Sequence, residues 1–214
     1  MVDVLQEVCR KLKRHCTIEV MPWRRASRQA EEVKVDGIFT LLDAPARRAR
    51  FYVSLPVLGA RYTLFARAGD SFVYNDRESL RGRTIAVYGP SGTSLALDEV
   101  TQGLDVNKVL EVDNPTVLRK LLAGRYGERG LVLMNEAVAL HLIRQLAPAG
   151  LQASGVVRSF DYSFGLVRER ISPKDARAFD AALASLCHSG ESAALIGHYG
   201  LTASPCKEPA GKAH

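Results

Sequence analysis

The stretch Leu80-Arg81-Gly82-Arg83-Thr84-Ile85-Ala86-Val87-Tyr88-Gly89-Pro90-Ser91-Gly92-Thr93-Ser94 decides how this chain is read. An Arg-Gly turn leads into the β-branched and apolar run Thr84 to Tyr88, and a Gly/Ser loop over 89–94 then opens a helical pattern over 95–102. Strand, loop and helix in that order form the unit from which α/β layers are built. The unit repeats downstream as a strand Val109 to Val112, a helix opened by Asn114-Pro115 and running to Arg125, a strand Gly130 to Met134 and a helix Glu136 to Leu146. Upstream, Asp3 can cap a helix in which Val4, Leu5, Val8, Cys9 and Leu12 recur at helical spacing, and Thr17 to Met21 alternates like a strand. Pro22 opens a helix Trp23 to Glu32, Val35 to Leu42 reads as a buried strand, an Arg-rich turn follows Pro45, and Tyr62 to Ala66 is strand-like. Extended segments near Val156 and Phe164 and two helices, Pro173 to His188 and Glu191 to Tyr199, follow. The whole predicts parallel α/β layers, two of them.

Composition agrees with a globular protein. Of 214 residues, 47 % are hydrophobic and 24 % charged, which excludes a disordered or fibrous chain. The length suits one large domain or two lobes of about 100 residues. No apolar run approaches the roughly 20 residues of a membrane span. Met1 to Cys9 lacks a basic segment followed by an apolar core, so no signal peptide is expected within the chain. The net charge of +6 is spread over short clusters, Arg10 to Arg14, Arg24 to Arg28, Arg47 to Arg50 and Arg81 to Arg83, and only 7 % of residues are aromatic. That pattern argues against nucleic acid as a partner and supports at most a preference for anionic ligands.

Four cysteines fall in two local pairs. Cys9 and Cys16 would close a loop of eight residues and Cys187 and Cys206 one of twenty. Neither gap is that of a zinc knuckle or a redox dithiol, so two disulfides are favoured over the other reading, four buried thiols. Chain entropy would give the two bridges about 2.5 and 3.3 kcal/mol.

In α/β sheets ligands bind beyond the carboxyl ends of the strands. The loop Gly89 to Ser94 has amides and hydroxyls that can hold a carboxylate or phosphate at a helix start, and it reads equally as a plain Gly-rich turn; without Lys it is no Walker loop. Arg47 and Arg48 can fork onto a carboxylate or lie solvated. Trp23, the only Trp, either packs in the core or lines a cleft. His15, His141, His188, His198 and His214 share no metal-binding spacing, and no cofactor or metal is expected.

The order of Val2-Asp3-Val4-Leu5-Gln6-Glu7-Val8-Cys9, Val35-Asp36-Gly37-Ile38-Phe39, Pro45-Ala46-Arg47-Arg48, Val53-Ser54-Leu55-Pro56, Leu80 to Val87, Leu122-Ala123-Gly124-Arg125 and Ser189-Gly190-Glu191 resembles the extracytoplasmic solute-binding proteins of polar amino-acid ABC transporters. The resemblance spans nearly the whole chain. It implies the α/β, two-lobed type II periplasmic-binding-protein fold with two crossover hinge strands, lobe one over 1–66 and 160–214 and lobe two over 67–159, closing on a small-molecule ligand. It also implies a periplasmic location and an ABC permease of the inner membrane as partner. Basic-amino-acid binders of this family place a Cys pair where Cys9 and Cys16 stand.

Position by position, the resemblance puts Trp23 where a side chain stacks on the ligand, and Thr40 and Asp43 where hydroxyl donors are usual. Arg47, with Arg48 retained beside it, corresponds to the carboxylate-gripping Arg. Tyr88, Ser91, Gly92 and Thr93 match the loop that completes the carboxylate site. Asn135 stands where an Asp accepts the ligand's α-ammonium. With Asn at that place and Asp43 in a hydroxyl's place, the expected ligand is a small polar or carboxylate-bearing metabolite, an amino acid or related compound. No catalytic residue is expected; the rival readings are a cyclohexadienyl-dehydratase-type enzyme of the same fold, for which Asp43 and Glu136 are the candidate acids, and the extracellular sensor domain of a signalling protein. Family members begin with a strand that this sequence lacks, together with its signal peptide. An open strand slot in lobe one, weak ligand binding and dimerisation through that slot are the expected consequences.

Overall fold

The computed structural model describes residues 1–146 and 150–206. In chain order its elements are α1 (Val2–Lys11), α2 (Trp23–Glu31), β1 (Gly37–Leu42), α3 (Pro45–Arg48), β2 (Phe51–Val53) and β3 (Leu58–Arg67). A 3₁₀ turn (Arg77–Leu80) leads to β4 (Thr84–Tyr88), α4 (Gly92–Val100), β5 (Asn107–Glu111), α5 (Asn114–Leu122), β6 (Leu131–Asn135) and α6 (Glu136–Leu146). Then come β7 (Leu151–Val167), α7 (Pro173–His188) and α8 (Glu191–Gly197). The chain divides into two units, one formed by Met1–Gly59 with the chain from Phe160 onward and one by Ala60–Ser159, so it passes between them within β3 and within β7.

In the first unit the end of β7 is the central strand. β1 pairs antiparallel with it from Gly37↔Leu166 to Leu42↔Tyr162, and β2 from Phe51↔Val167 to Val53↔Gly165. Val4 and Val8 of α1 are fully buried and join Phe164, Phe179, Leu183, Leu186 and Ile196 in one core. A second core gathers Ala30, Ile38, Leu41, Phe51, Val53 and Val167, with Trp23 packed against it. Disulfides Cys9–Cys16 and Cys187–Cys206 are both formed, which decides against the four-thiol alternative.

The second unit is a mixed sheet, not a wholly parallel one. β4 lies parallel between β5 and β6, while β3 runs antiparallel to β6 from Tyr62↔Asn135 to Phe65↔Val132. β7 begins beside the end of β3, where the Ala68 amide donates to the Gly150 carbonyl at 2.9 Å. The core is Phe65, Ala86, Val132 and Met134 under Val117, Leu118 and Leu121 of α5 and Ala139 and Ile143 of α6. Helix starts are locally determined: Ser91 and Ser94 form a reciprocal capping box on α4, and the Asp113 carboxylate accepts the Thr116 amide at 2.7 Å ahead of Pro115 on α5.

Four local expectations are corrected. Thr17 to Met21 belongs to no strand, because alternation makes a strand only where a neighbour supplies ladder hydrogen bonds, and Val20 is 81 % exposed. Asp3 is not the cap of α1, whose N-cap is Met1; its carboxylate instead accepts the Tyr199 hydroxyl at 2.7 Å. The cap of α5 is Asp113 and not Asn114. The two extended segments near Val156 and Phe164 are one continuous strand, β7.

Candidate functional site

Each unit presents part of the expected residue set at its strand ends.

In the first unit Trp23 opens α2 ahead of β1, Thr40 lies within β1, and Asp43, Arg47 and Arg48 follow it. The ladder between β1 and β7 is irregular between Ile38 and Leu41, and within that irregularity Thr40 adopts φ +59°. A β-branched residue in left-handed backbone is strained, at a cost of about 1–3 kcal/mol, and such strain concentrates at functional positions. The Thr40 hydroxyl donates to the Phe39 carbonyl at 2.6 Å. Past the strand, Arg48 donates to the Asp43 carboxylate at 2.5 Å and its carbonyl accepts from Arg168, so this guanidinium has a carboxylate partner within the unit. Arg47 lies with its guanidinium 5.4 Å from the Trp23 ring centroid. α3 is Pro-started, and its single turn sets Arg47 and Arg48 on different sides. The doublet thus splits into one Arg bound to Asp43 and one over an aromatic face.

In the second unit, Tyr88 ends β4 and the cis peptide Gly89-Pro90 leads into α4. Ser91 spends its side chain locally: the hydroxyl donates to the Tyr88 carbonyl at 2.7 Å and accepts the Ser94 amide at 3.2 Å. The amides of Gly92 and Thr93 occupy the first turn of α4, where an α-helix offers no internal acceptor. They can therefore serve an anion, while the Ser91 hydroxyl shapes the turn. Asn135 ends β6, and its Oδ1 accepts the Val138 amide at 3.2 Å at the start of α6.

Beside Asn135 sits a cluster that motif reading did not assemble. Arg61 donates from Nε to Glu136 Oε2 at 2.6 Å, and the Thr63 hydroxyl lies 3.5 Å from Glu136 Oε1. Thr63 is 1 % exposed, and Arg61 and Thr63 share one face of β3 at i, i+2. The signal in the sequence was an Arg and a Thr alternating with the apolar Tyr62 and Leu64 at the start of a strand. Asp43 and Glu136, the two acids of the enzymatic reading, are thus each held by a guanidinium. Among the described residues no group of three or more His, Cys, Asp or Glu could hold a metal ion; His214 lies outside them.

The family model of bacterial extracellular solute-binding proteins, family 3, matches residues 1–202. The chain belongs to that family. No curated protein sequence matches this solute-binding protein. Among solved structures, a mutant of ArgBP from T. maritima superposes with TM-score 0.77 at 22 % identity, covering 93 % of this chain and 83 % of that one. A putative L-cystine ABC transporter from Listeria monocytogenes gives 0.74 at 17 % identity, with 94 % and 86 % covered. A histidine kinase sensor domain with similarity to periplasmic binding proteins gives 0.81 at 19 % identity, with 95 % and 86 % covered. At these identities the likeness establishes the type II periplasmic-binding-protein fold of the solute-binding protein. No helix among the described residues is long and apolar enough to cross a membrane.

Proposed function

We propose that this protein is the periplasmic ligand-binding component of an ABC-type uptake system, and that it clasps a small carboxylate-bearing metabolite between lobe one, 1–66 with 160–214, and lobe two, 67–159. The family match over residues 1–202 is the observation that supports the reading most. Closure would turn on the two chain passages within β3 and β7. Arg47 grips the carboxylate from lobe one, the Trp23 face stacks on the ligand, and Arg48 with Asp43 braces α3. The amides of Gly92 and Thr93, with Tyr88, complete the carboxylate site from lobe two.

Charge narrows the ligand class. Within each unit the carboxylate of the set already has an Arg partner, Asp43 with Arg48 and Glu136 with Arg61. Asn135 is neutral and caps α6. Neither Asp43 nor Glu136 is thus left without a cation to pair with a ligand ammonium, and a charge-assisted bond is roughly twice a neutral one. The ligand is therefore a hydroxy acid, keto acid or dicarboxylate in preference to a cationic amino acid.

A thermal-shift series tests this directly. At 100-fold excess over its Kd, a true ligand adds about 2.7 kcal/mol of stability. Strong stabilisation by arginine, histidine and lysine with none from dicarboxylates or keto acids would overturn the ligand class. Addition of the ligand-loaded protein to its reconstituted permease should stimulate ATP hydrolysis; no stimulation, with ligand-dependent binding to a membrane kinase instead, would replace uptake by sensing. Sedimentation of the ligand-free protein checks the expected dimerisation through the outer edge of β1, and a monomer at all concentrations refutes it.

A further inference from the structure

The second unit carries a depression whose lining includes none of the candidate ligand residues described above, although its Glu111 pairs in register with Tyr88. It measures about 610 Å³ and is lined by Thr84, Asn107, Val109, Lys120, Arg125 and Tyr126, among others. Its origin lies in the sheet. β5 is the edge strand, and α5 lies mainly over β4 and β6, so the outer face of β5 is only partly covered. Asn107 and Val109 point to that face by strand alternation, beside Thr84 across the parallel register Thr84↔Asn107.

The chemistry of the lining is asymmetric. Glu111 at the inner end is already satisfied, with Lys120 Nζ 2.8 Å from both oxygens and the Tyr126 hydroxyl donating at 3.1 Å. Burial and that carboxylate push the Tyr126 phenol well above its ordinary pKa, so it stays a donor to Glu111. Lys120 has three ammonium protons, and two contacts with Glu111 leave it one. Arg125 is exposed at the rim, and among the described residues its guanidinium has no hydrogen-bond or ion-pair partner. The Asn107 amide and Thr84 hydroxyl, joined at 3.3 Å, add polar groups at the far end, and Val109 and Tyr126 provide an apolar floor. Two cations against one neutralised carboxylate leave the depression with one positive charge in excess.

We propose that this depression is a second binding site, for a small organic anion whose carboxylate or phosphate is held by Arg125 and Lys120 and whose apolar body lies on Val109 and Tyr126. A volume of this size is within the range of small-molecule sites, roughly 300–1,000 Å³. The Arg fork suits either head group by paired hydrogen bonds. The site lies wholly within the second unit and does not depend on the proposed uptake ligand.

The test is a titration of the full ¹⁵N-labelled chain with benzoate, phenyl phosphate, inorganic phosphate and benzamide, read at the backbone amides of Asn107 and Gly127. Benzoate or phenyl phosphate should shift these amides saturably, the tighter of the two naming the head group, and benzamide should not. Arg125→Gln should weaken binding tenfold or more, and Arg125→Lys should restore part of it; both change an exposed side chain, and the unperturbed remainder of the spectrum verifies the fold. Absence of saturable shifts at 20 mM, equal shifts with benzamide, or unchanged affinity in Arg125→Gln overturns the site. Shifts confined to the amides of Thr40 and Gly92 also overturn it, since they place the anion at the strand ends instead. Inorganic phosphate binding as tightly as phenyl phosphate removes the apolar subsite and refutes the organic-anion class.

Discussion

The network around Glu111 gives a quantitative test of how the second unit is held together. Glu111 ends the edge strand β5 with its side chain 9 % exposed, and Tyr126 is 6 % exposed. In Glu111→Ala the Tyr126 hydroxyl loses its acceptor inside the protein, a desolvation cost of about 1–3 kcal/mol. Lys120 is half-exposed and recovers water, so its share is that of a surface pair, about 0–1 kcal/mol. The expected loss is about 1–4 kcal/mol. Tyr126→Phe removes one of the donors to a carboxylate that keeps Lys120, at about 1 kcal/mol. The double variant leaves neither group unpaired, so it should cost less than the sum of the singles by about 1–1.5 kcal/mol. Glu111→Gln retains an acceptor for Tyr126 and should fall between wild type and Glu111→Ala. Urea unfolding followed by far-UV circular dichroism, with hydrogen exchange over β4 and β5, reports the cycle; fluorescence of Trp23 does not, because the only Trp is in the other unit. Additive single effects within 0.3 kcal/mol, or a Glu111→Ala cost below about 0.5 kcal/mol, would refute the claim that the buried carboxylate and phenol act as one unit.

Thr40→Gly should raise the free energy of urea unfolding by about 1 kcal/mol, since glycine accepts φ +59° without strain; a destabilised variant would mean that the hydroxyl contributes more than the backbone costs. Cys187→Ser/Cys206→Ser should lose about 3.3 kcal/mol and Cys9→Ser/Cys16→Ser about 2.5 in the same assay, and a reversed order would contradict the loop-entropy account. Gly130→Ala places a Cβ 2.6 Å from Tyr126 Cβ and 2.7 Å from its carbonyl oxygen, so the variant should unfold at clearly lower urea than Gly197→Ala, where an added Cβ meets no atom within 4 Å. The Thr116 hydroxyl, and then its amide, hold the Asp113 carboxyl below its ordinary 3.8. The folded value is the lower one, so the cap's contribution is present above pH 3.8 and is lost as pH falls through the folded value. Asp113→Ala should cost about 1 kcal/mol at neutral pH and show a flatter acid limb; an unchanged acid limb would count against the cap.

The helices and the α/β order were legible because their causes are local. Pro115, the Ser91-x-x-Ser94 box and the apolar spacing of α1, α5 and α7 act within one or two turns, and the Cys spacings favoured both disulfides because each loop is short. Family membership was legible from the order of short motifs, and the match over 1–202 bears it out. What required tertiary structure was everything that depends on a partner distant in sequence. Thr17 to Met21 has the alternation of a strand and no ladder, because pairing is a property of two segments. The continuity of β7, the irregularity that strains Thr40, the splitting of Arg47 from Arg48 and the pairing of Arg61 with Glu136 across 75 positions all lie outside local pattern. Sequence by itself offered candidates for holding an anion; tertiary structure decided which of those side chains pair with one another, because an ion pair forms between groups that only folding brings within reach.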